Sequence, residues 1–118
     1  MENYPEKVFY EAANVNQQTF LNETVGYETL TISTNALGLA NIPADARYAF
    51  CIVESDHTSG PSIRFLTTGD NPSGTDGMPR NANDTFDLLS KNDIDNFKVI
   101  RDSGHSGTTM TLHVTYYK

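Results

Sequence analysis

The stretch Asp102-Ser103-Gly104-His105-Ser106-Gly107 sets a carboxylate, an imidazole and a hydroxyl close together in the chain. Those are the groups of nucleophilic hydrolysis, in which a base activates the hydroxyl and a third group orients the base. The local pattern argues against that use. A nucleophile elbow reads Gly-x-Ser-x-Gly between a strand and a helix. Here position 108 is Thr and an extended pattern follows. Asp102, His105 and Ser106 are also too near one another in sequence to face each other as a triad. A flexible polar hairpin is the simpler reading.

Other groups give weaker signals. The loop Gly69-Asp70-Asn71-Pro72-Ser73-Gly74-Thr75-Asp76-Gly77 carries oxygen ligands of the kind calcium needs. It lacks EF-hand spacing and a closing Glu, and turn-forming Asp and Asn account for it. His57, His105 and His113 show no metal-ligand spacing. The first two fall in loops. His113 shares a strand face with threonines and is expected to face solvent or an interface. Asp84, Asp87, Asp93 and Asp95 could supply paired acids for sugar hydrolysis, yet they lie in short polar segments where solvation is the default. No Gly-rich phosphate loop follows a strand and opens a helix. The residues thus imply no catalytic site, metal or cofactor. Six Tyr and six Phe could build a sugar platform, with Tyr48, Tyr116 and Tyr117 as candidates for an exposed groove.

The elements that would position these groups read as strands. In residues 109–117, Met110, Leu112, Val114 and Tyr116 alternate with Thr111, His113, Thr115 and Tyr117, the period of a half-buried strand. Leu30 and Ile32 alternate with threonines in the same way. Residues 48–54 form a nearly continuous apolar run, which suits a central strand covered on both faces. Further strands are expected at 62–68, 85–89 and 97–101. Residues 36–43 read as a bend, 69–83 as a long loop, 92–96 as a turn or a single helical turn, and 102–107 as a hairpin loop. Seven or eight short strands with no long helical period predict an all-β fold, an antiparallel β-sandwich of jelly-roll or Ig-like type.

Residues 1–27 are the least regular. They read as an N-terminal arm or an edge strand preceding a sandwich domain over 28–118. Tyr4, Phe9, Tyr10 and Phe20 stand on a polar background there, and burying one such side chain is worth roughly 1.5–3 kcal/mol if a surface receives it. Either an arm crossing to a neighbouring subunit or intrachain edge packing would supply that surface.

A chain of 118 residues is one domain by size, able to bury roughly 65% of its unfolded surface. Its hydrophobic fraction, 37%, points to a thin core or to apolar surface shared with a partner. Net charge is −7 and the basic residues are dispersed. Direct binding to nucleic acid, which needs clustered Lys and Arg, is therefore not expected. One cysteine, Cys51, excludes an intrachain disulfide and reads as a small buried residue. No run of about 20 apolar residues suggests a membrane span, and the N-terminus lacks a signal-peptide pattern.

The order of several short motifs adds a family likeness. Ala36-Leu37-Gly38-Leu39 leads to Ile42-Pro43, then Ala46-Arg47-Tyr48-Ala49 and Val53-Glu54. Ile63-Arg64-Phe65 follows, then Gly69-Asp70-Asn71-Pro72 and Gly77-Met78-Pro79. Phe97-Lys98-Val99-Ile100-Arg101 precedes Leu112-His113-Val114-Thr115-Tyr116-Tyr117. Over residues 36–117 this resembles small β-rich virion structural proteins of tailed bacteriophages and prophages. The loop departs from their pattern: Asn71 stands where the family usually has Gly, and no Thr follows Pro72. The resemblance implies a non-enzymatic virion component on the capsid or tail, made in the host bacterial cytoplasm. It would contact other virion proteins. A homo-oligomer, most simply a trimer, is expected from the arm of residues 1–27 crossing to a neighbour. Candidate interface residues are Tyr4, Phe9, Tyr10, Phe20, Arg64, Arg101 and Tyr117. Arg64 and Arg101 lie in apolar strands, so each is expected to pair with a carboxylate at a sheet edge or subunit contact. The alternative of a different class is a carbohydrate-binding module of a receptor-binding or surface-attachment protein.

Overall fold

A computed structural model describes residues 23–118. The described residues form eight strands and one short helix. They are β1 (Thr24–Thr31), β2 (Leu37–Gly38), β3 (Tyr48–Ser55), β4 (Pro61–Leu66), β5 (Met78–Asn81), β6 (Thr85–Leu88), α1 (Lys91–Asn96), β7 (Lys98–Arg101) and β8 (Met110–Tyr117). β1 begins at Thr24, so the β structure takes in the last residues of the segment read as an arm. Tyr4, Phe9, Tyr10 and Phe20 lie outside the described residues.

The strands make two antiparallel sheets with orders β1-β8-β3-β6 and β2-β7-β4-β5. β1 therefore pairs with β8, β2 with β7, β3 with β6 and β4 with β5. The chain is a long antiparallel ribbon doubled back on itself and rolled, which is the jelly-roll arrangement. That topology selects the jelly-roll form of the expected sandwich over the Ig-like one.

The alternation seen in residues 109–117 becomes the inner face of the first sheet. Leu30, Leu112 and Val53 form one cross-strand row, and Val114, Cys51 and Phe86 another. All six are buried. Ile63, Phe65 and Val99 face them from the second sheet, with Phe97 and Ile94 closing the gap. Burial pushes the Cys51 thiol up to about 12, so it serves as apolar filling.

Four expectations change. Residues 36–43 are not all bend, because Leu37–Gly38 pairs with β7 as β2. β3 is covered on one face only: Ala49, Cys51 and Val53 are buried, whereas Ile52 is exposed. A continuous apolar run marks double coverage only when both faces are covered, and here the outer face is open. The 69–83 segment is not all loop, because Met78–Asn81 pairs with β4 as β5. Arg80 and Pro79 carry no strand periodicity that would have announced it. Residues 102–107 are no hairpin either. They connect β7 in one sheet to β8 in the other.

α1 is a single capped turn and a half. Ser90 adopts extended backbone and its Oγ accepts the Asp93 N–H at 3.1 Å. Asp93 also sits in the positive first turn. So short a helix owes its persistence to the buried Ile94. Ser90→Ala is expected to destabilise the protein by about 1 kcal/mol, read as a lower urea midpoint with unchanged slope.

Candidate functional site

Two connections cross between the sheets at the same end of the sandwich. Residues 56–60 lead from β3 to β4, and residues 102–109 lead from β7 to β8. Each carries a histidine, and the rings of His57 and His105 meet at 5.1 Å, tilted by 43°. Each ring is also hydrogen-bonded to a serine on the other side. His57 Nδ1 lies 3.0 Å from Ser106 Oγ, and His105 Nε2 lies 2.9 Å from Ser55 Oγ.

The donors settle one tautomer. The Ser106 backbone N–H points at His57 Nδ1 at 3.3 Å and can only donate. Nδ1 is therefore the bare nitrogen and also accepts from Ser106 Oγ–H. Ser55 Oγ takes the His57 N–H at 3.1 Å and the Ser62 hydroxyl at 2.9 Å. His105 is 6% exposed, and its Nδ1 is buried without a hydrogen-bond partner. Arg101 Nη2 donates to the His105 carbonyl at 2.9 Å. Burial first, then the Arg101 charge and then His57, hold the His105 imidazole below its ordinary pKa.

The carboxylates nearby are committed elsewhere. Asp102 Oδ1 receives Arg64 Nε at 2.7 Å and Oδ2 receives the Gly104 N–H at 2.9 Å. Asp56 accepts the N–H groups of Thr108 and Thr109, which lower its pKa to about 2. Among the described residues, neither clasp imidazole is hydrogen-bonded to a carboxylate, so neither is oriented as the base of a triad. The cluster ties two crossovers together. A cleft of about 450 Å³ opens beside it, lined by Thr34, Gly74, Ile100, Arg101, Asp102, Ser103 and His105.

Arg64 meets its expected carboxylate, but in the middle of the second sheet between β7 and β5, not at an edge. A second N–H reaches the carbonyl of Gly77, whose φ of +135° requires glycine. Arg101 meets a carbonyl where a carboxylate was expected.

The outer face of the first sheet is the other feature that could meet a partner. Tyr27, Thr115, Phe50 and Asp87 form one row across four strands, and Thr29, His113, Ile52 and Thr85 the next. Tyr27 is 59% exposed and Ile52 39%. His113 is half-buried here. It links Tyr27, whose hydroxyl lies 2.7 Å from Nδ1, to Glu54, 2.6 Å from Nε2. The Tyr27 ring is thereby fixed against the sheet. At one corner Tyr48 and Tyr117 sit 5.4 Å apart. The Asp87 carboxylate accepts the Tyr48 hydroxyl at 2.6 Å and is the main cause raising that phenol to about 12. Tyr116 faces the core and is fully buried, so it is excluded from any surface groove.

No family model and no curated protein matches this chain. The sites above therefore rest on their own chemistry. Sequence inspection missed the His57–His105 clasp and the Tyr27–His113–Glu54 chain because their members lie far apart in the sequence. It could have flagged only the outward alternation of Tyr27 and His113.

Proposed function

We propose that the protein is a non-enzymatic structural component of a tailed-bacteriophage particle, held to its neighbours through the outer face of the β1-β8-β3-β6 sheet. The observation that carries this reading is the exposure of Tyr27 and Ile52 on one sheet face, which also carries Phe50, Tyr48 and Tyr117. Exposed apolar side chains gathered on one sheet face are a feature of interaction sites. The motif order over residues 36–117 supports a virion role, and the jelly roll is an architecture that capsid domains use, which is support by analogy only. The partners on this reading are other virion proteins and further copies of the chain, as a trimer or a larger ring. Net charge of −7 speaks against the genome as partner. Among the described residues no helix is long and apolar enough to cross a membrane.

Mass spectrometry of purified particles tests this. The chain is expected in stoichiometric amount, and Tyr27→Ala with Ile52→Glu is expected to deplete it from particles while circular dichroism stays unchanged. Its absence from intact wild-type particles would overturn the reading. The Tyr48–Tyr117 pair beside Asp87 favours a second reading, a carbohydrate-binding module, because aromatic faces with a fixed acceptor are the makings of a sugar subsite. Binding to host-surface glycans that Tyr117→Ala abolishes would select it.

A further inference from the structure

We propose that the His57–His105 clasp is an acid-sensitive latch, which fastens the two crossovers at neutral pH and releases the 102–109 connection when His105 takes up a proton. The geometry makes the His105 ring intolerant of a second proton, and a second proton on His57 would cost it a backbone donor. His57 Nδ1 already faces the Ser106 N–H. A proton on Nδ1 would set two donors against each other and break the bond from the Ser106 backbone N–H, while the Ser106 hydroxyl would have to turn and accept. His105 Nδ1 is buried and faces no acceptor. Ser55 Oγ, whose lone pairs take the His57 N–H and the Ser62 hydroxyl, donates its own proton to Nε2, so Nδ1 already carries the neutral ring's proton and a second one at Nε2 would be set against the Ser55 hydroxyl.

The surrounding charges act in the same direction. From β7, the Arg101 guanidinium lies on the His105 carbonyl. From the 56–60 crossover, His57 stands against the ring at 5.1 Å and would become a like charge. Two carboxylates oppose this. Asp56, at the start of that crossover, is exposed and holds Thr108 and Thr109. Asp102, on the same connection as His105, is neutralised by Arg64 from β4. β3 and β4 contribute only the hydroxyls of Ser55 and Ser62.

The sign follows from the unfolded chain. His105 is held below about 6.5 in the fold, so the unfolded state binds its proton first as pH falls. The stabilisation is fully present above about 6.5 and is lost as pH falls from there towards the folded value. Asp56 acts in a separate window. Its contribution is present above about 3.8 and lost towards about 2.

Hydrogen exchange on the intact protein between pH 7.5 and 5, corrected for intrinsic rates, tests the latch. Protection in residues 56–60 and 102–109 is expected to fall by up to about tenfold per pH unit below 6.5, with β8 core amides unaffected over the same range. His105→Gln, which keeps a polar group toward Ser55 but cannot charge, is expected to lose most of that response. Should His105→Gln fail to fold, NMR titration of the wild-type imidazoles serves instead. Ring protonation without loss of protection in the two crossovers would overturn the proposal, as would an equal loss in every strand or an unchanged response in His105→Gln.

Discussion

Glu28→Ala is expected to lower stability by about 2–4 kcal/mol. Glu28 points into the sandwich from β1 and is 6% exposed. Its carboxylate accepts the N–H groups of Ala40 and Asn41 at 3.2 and 3.0 Å, and the hydroxyl of Tyr116. Alanine would orphan all three donors. The two amides lie at exposed residues and can turn to water, but the Tyr116 hydroxyl is sealed in the core. An unsatisfied buried donor costs about 1–3 kcal/mol, and more where the lost partner was charged. Tyr116→Phe should cost less, about 1.5–3 kcal/mol, because Glu28 keeps its two backbone partners. Burial and the Glu28 bond both push the Tyr116 phenol well above its ordinary value, so it remains a donor across the working pH range. Urea unfolding at pH 7 ranks the two variants. A smaller loss for Glu28→Ala than for Tyr116→Phe would show that the carboxylate is not what organises the 40–41 backbone.

Phe97→Ala is expected to cost about 3–5 kcal/mol, a fall in Tm of roughly 4–8 °C for each kcal/mol. Phe97 is fully buried where α1 hands over to β7. Its ring lies 5.5 Å from Phe65 of the second sheet and 6.1 Å from Phe86 of the first. Phe65 and Phe86 stack across the sandwich at 4.4 Å, only 8° from parallel, with the Arg80 guanidinium over both rings. These three rings fasten one side of the two sheets, so truncating one leaves a cavity whose walls belong to different elements and cannot close easily. Phe97→Leu keeps most of the volume and should cost less than about 1.5 kcal/mol. Differential scanning calorimetry reads both. Equal losses for the two variants would mean that shape, rather than volume, sets the cost.

The sandwich was legible because its strongest strands obey period two. Met110, Leu112, Val114 and Tyr116 share one strand face by that period, and all four are buried, Tyr116 against its candidacy for an exposed groove. What eluded the sequence depends on long-range partners. Glu28 looks like any polar residue of a strand until Tyr116, 88 residues on, supplies its hydroxyl. Gly and Ser between two strands signal a turn equally well whether the strands share a sheet or not, which is why the 102–107 segment read as a hairpin. His57 and His105 each sat in an ordinary polar loop. Only the rolling of the ribbon brings those loops to the same end. Ile52 and Phe50 continued an apolar run that local pattern could not assign to an inner or an outer face.

The rolled ribbon also sets the order in which the chain can assemble. β4 and β5 are the innermost pair, joined by residues 67–77, and among the described strands they alone are neighbours in both sequence and sheet. Each further pair, β3 with β6, β2 with β7 and β1 with β8, encloses the one before it and closes a longer loop. Closing cost rises with loop length unless the inner pairs have already shortened it. Zipping from the β4–β5 turn outward is therefore the cheapest route. β8 also lies between β1 and β3. On a ribosome the first sheet stays without its second strand until residues 110–117 have emerged, and through that interval the open flanks of β1 and β3 are the surfaces a chaperone would have to shield.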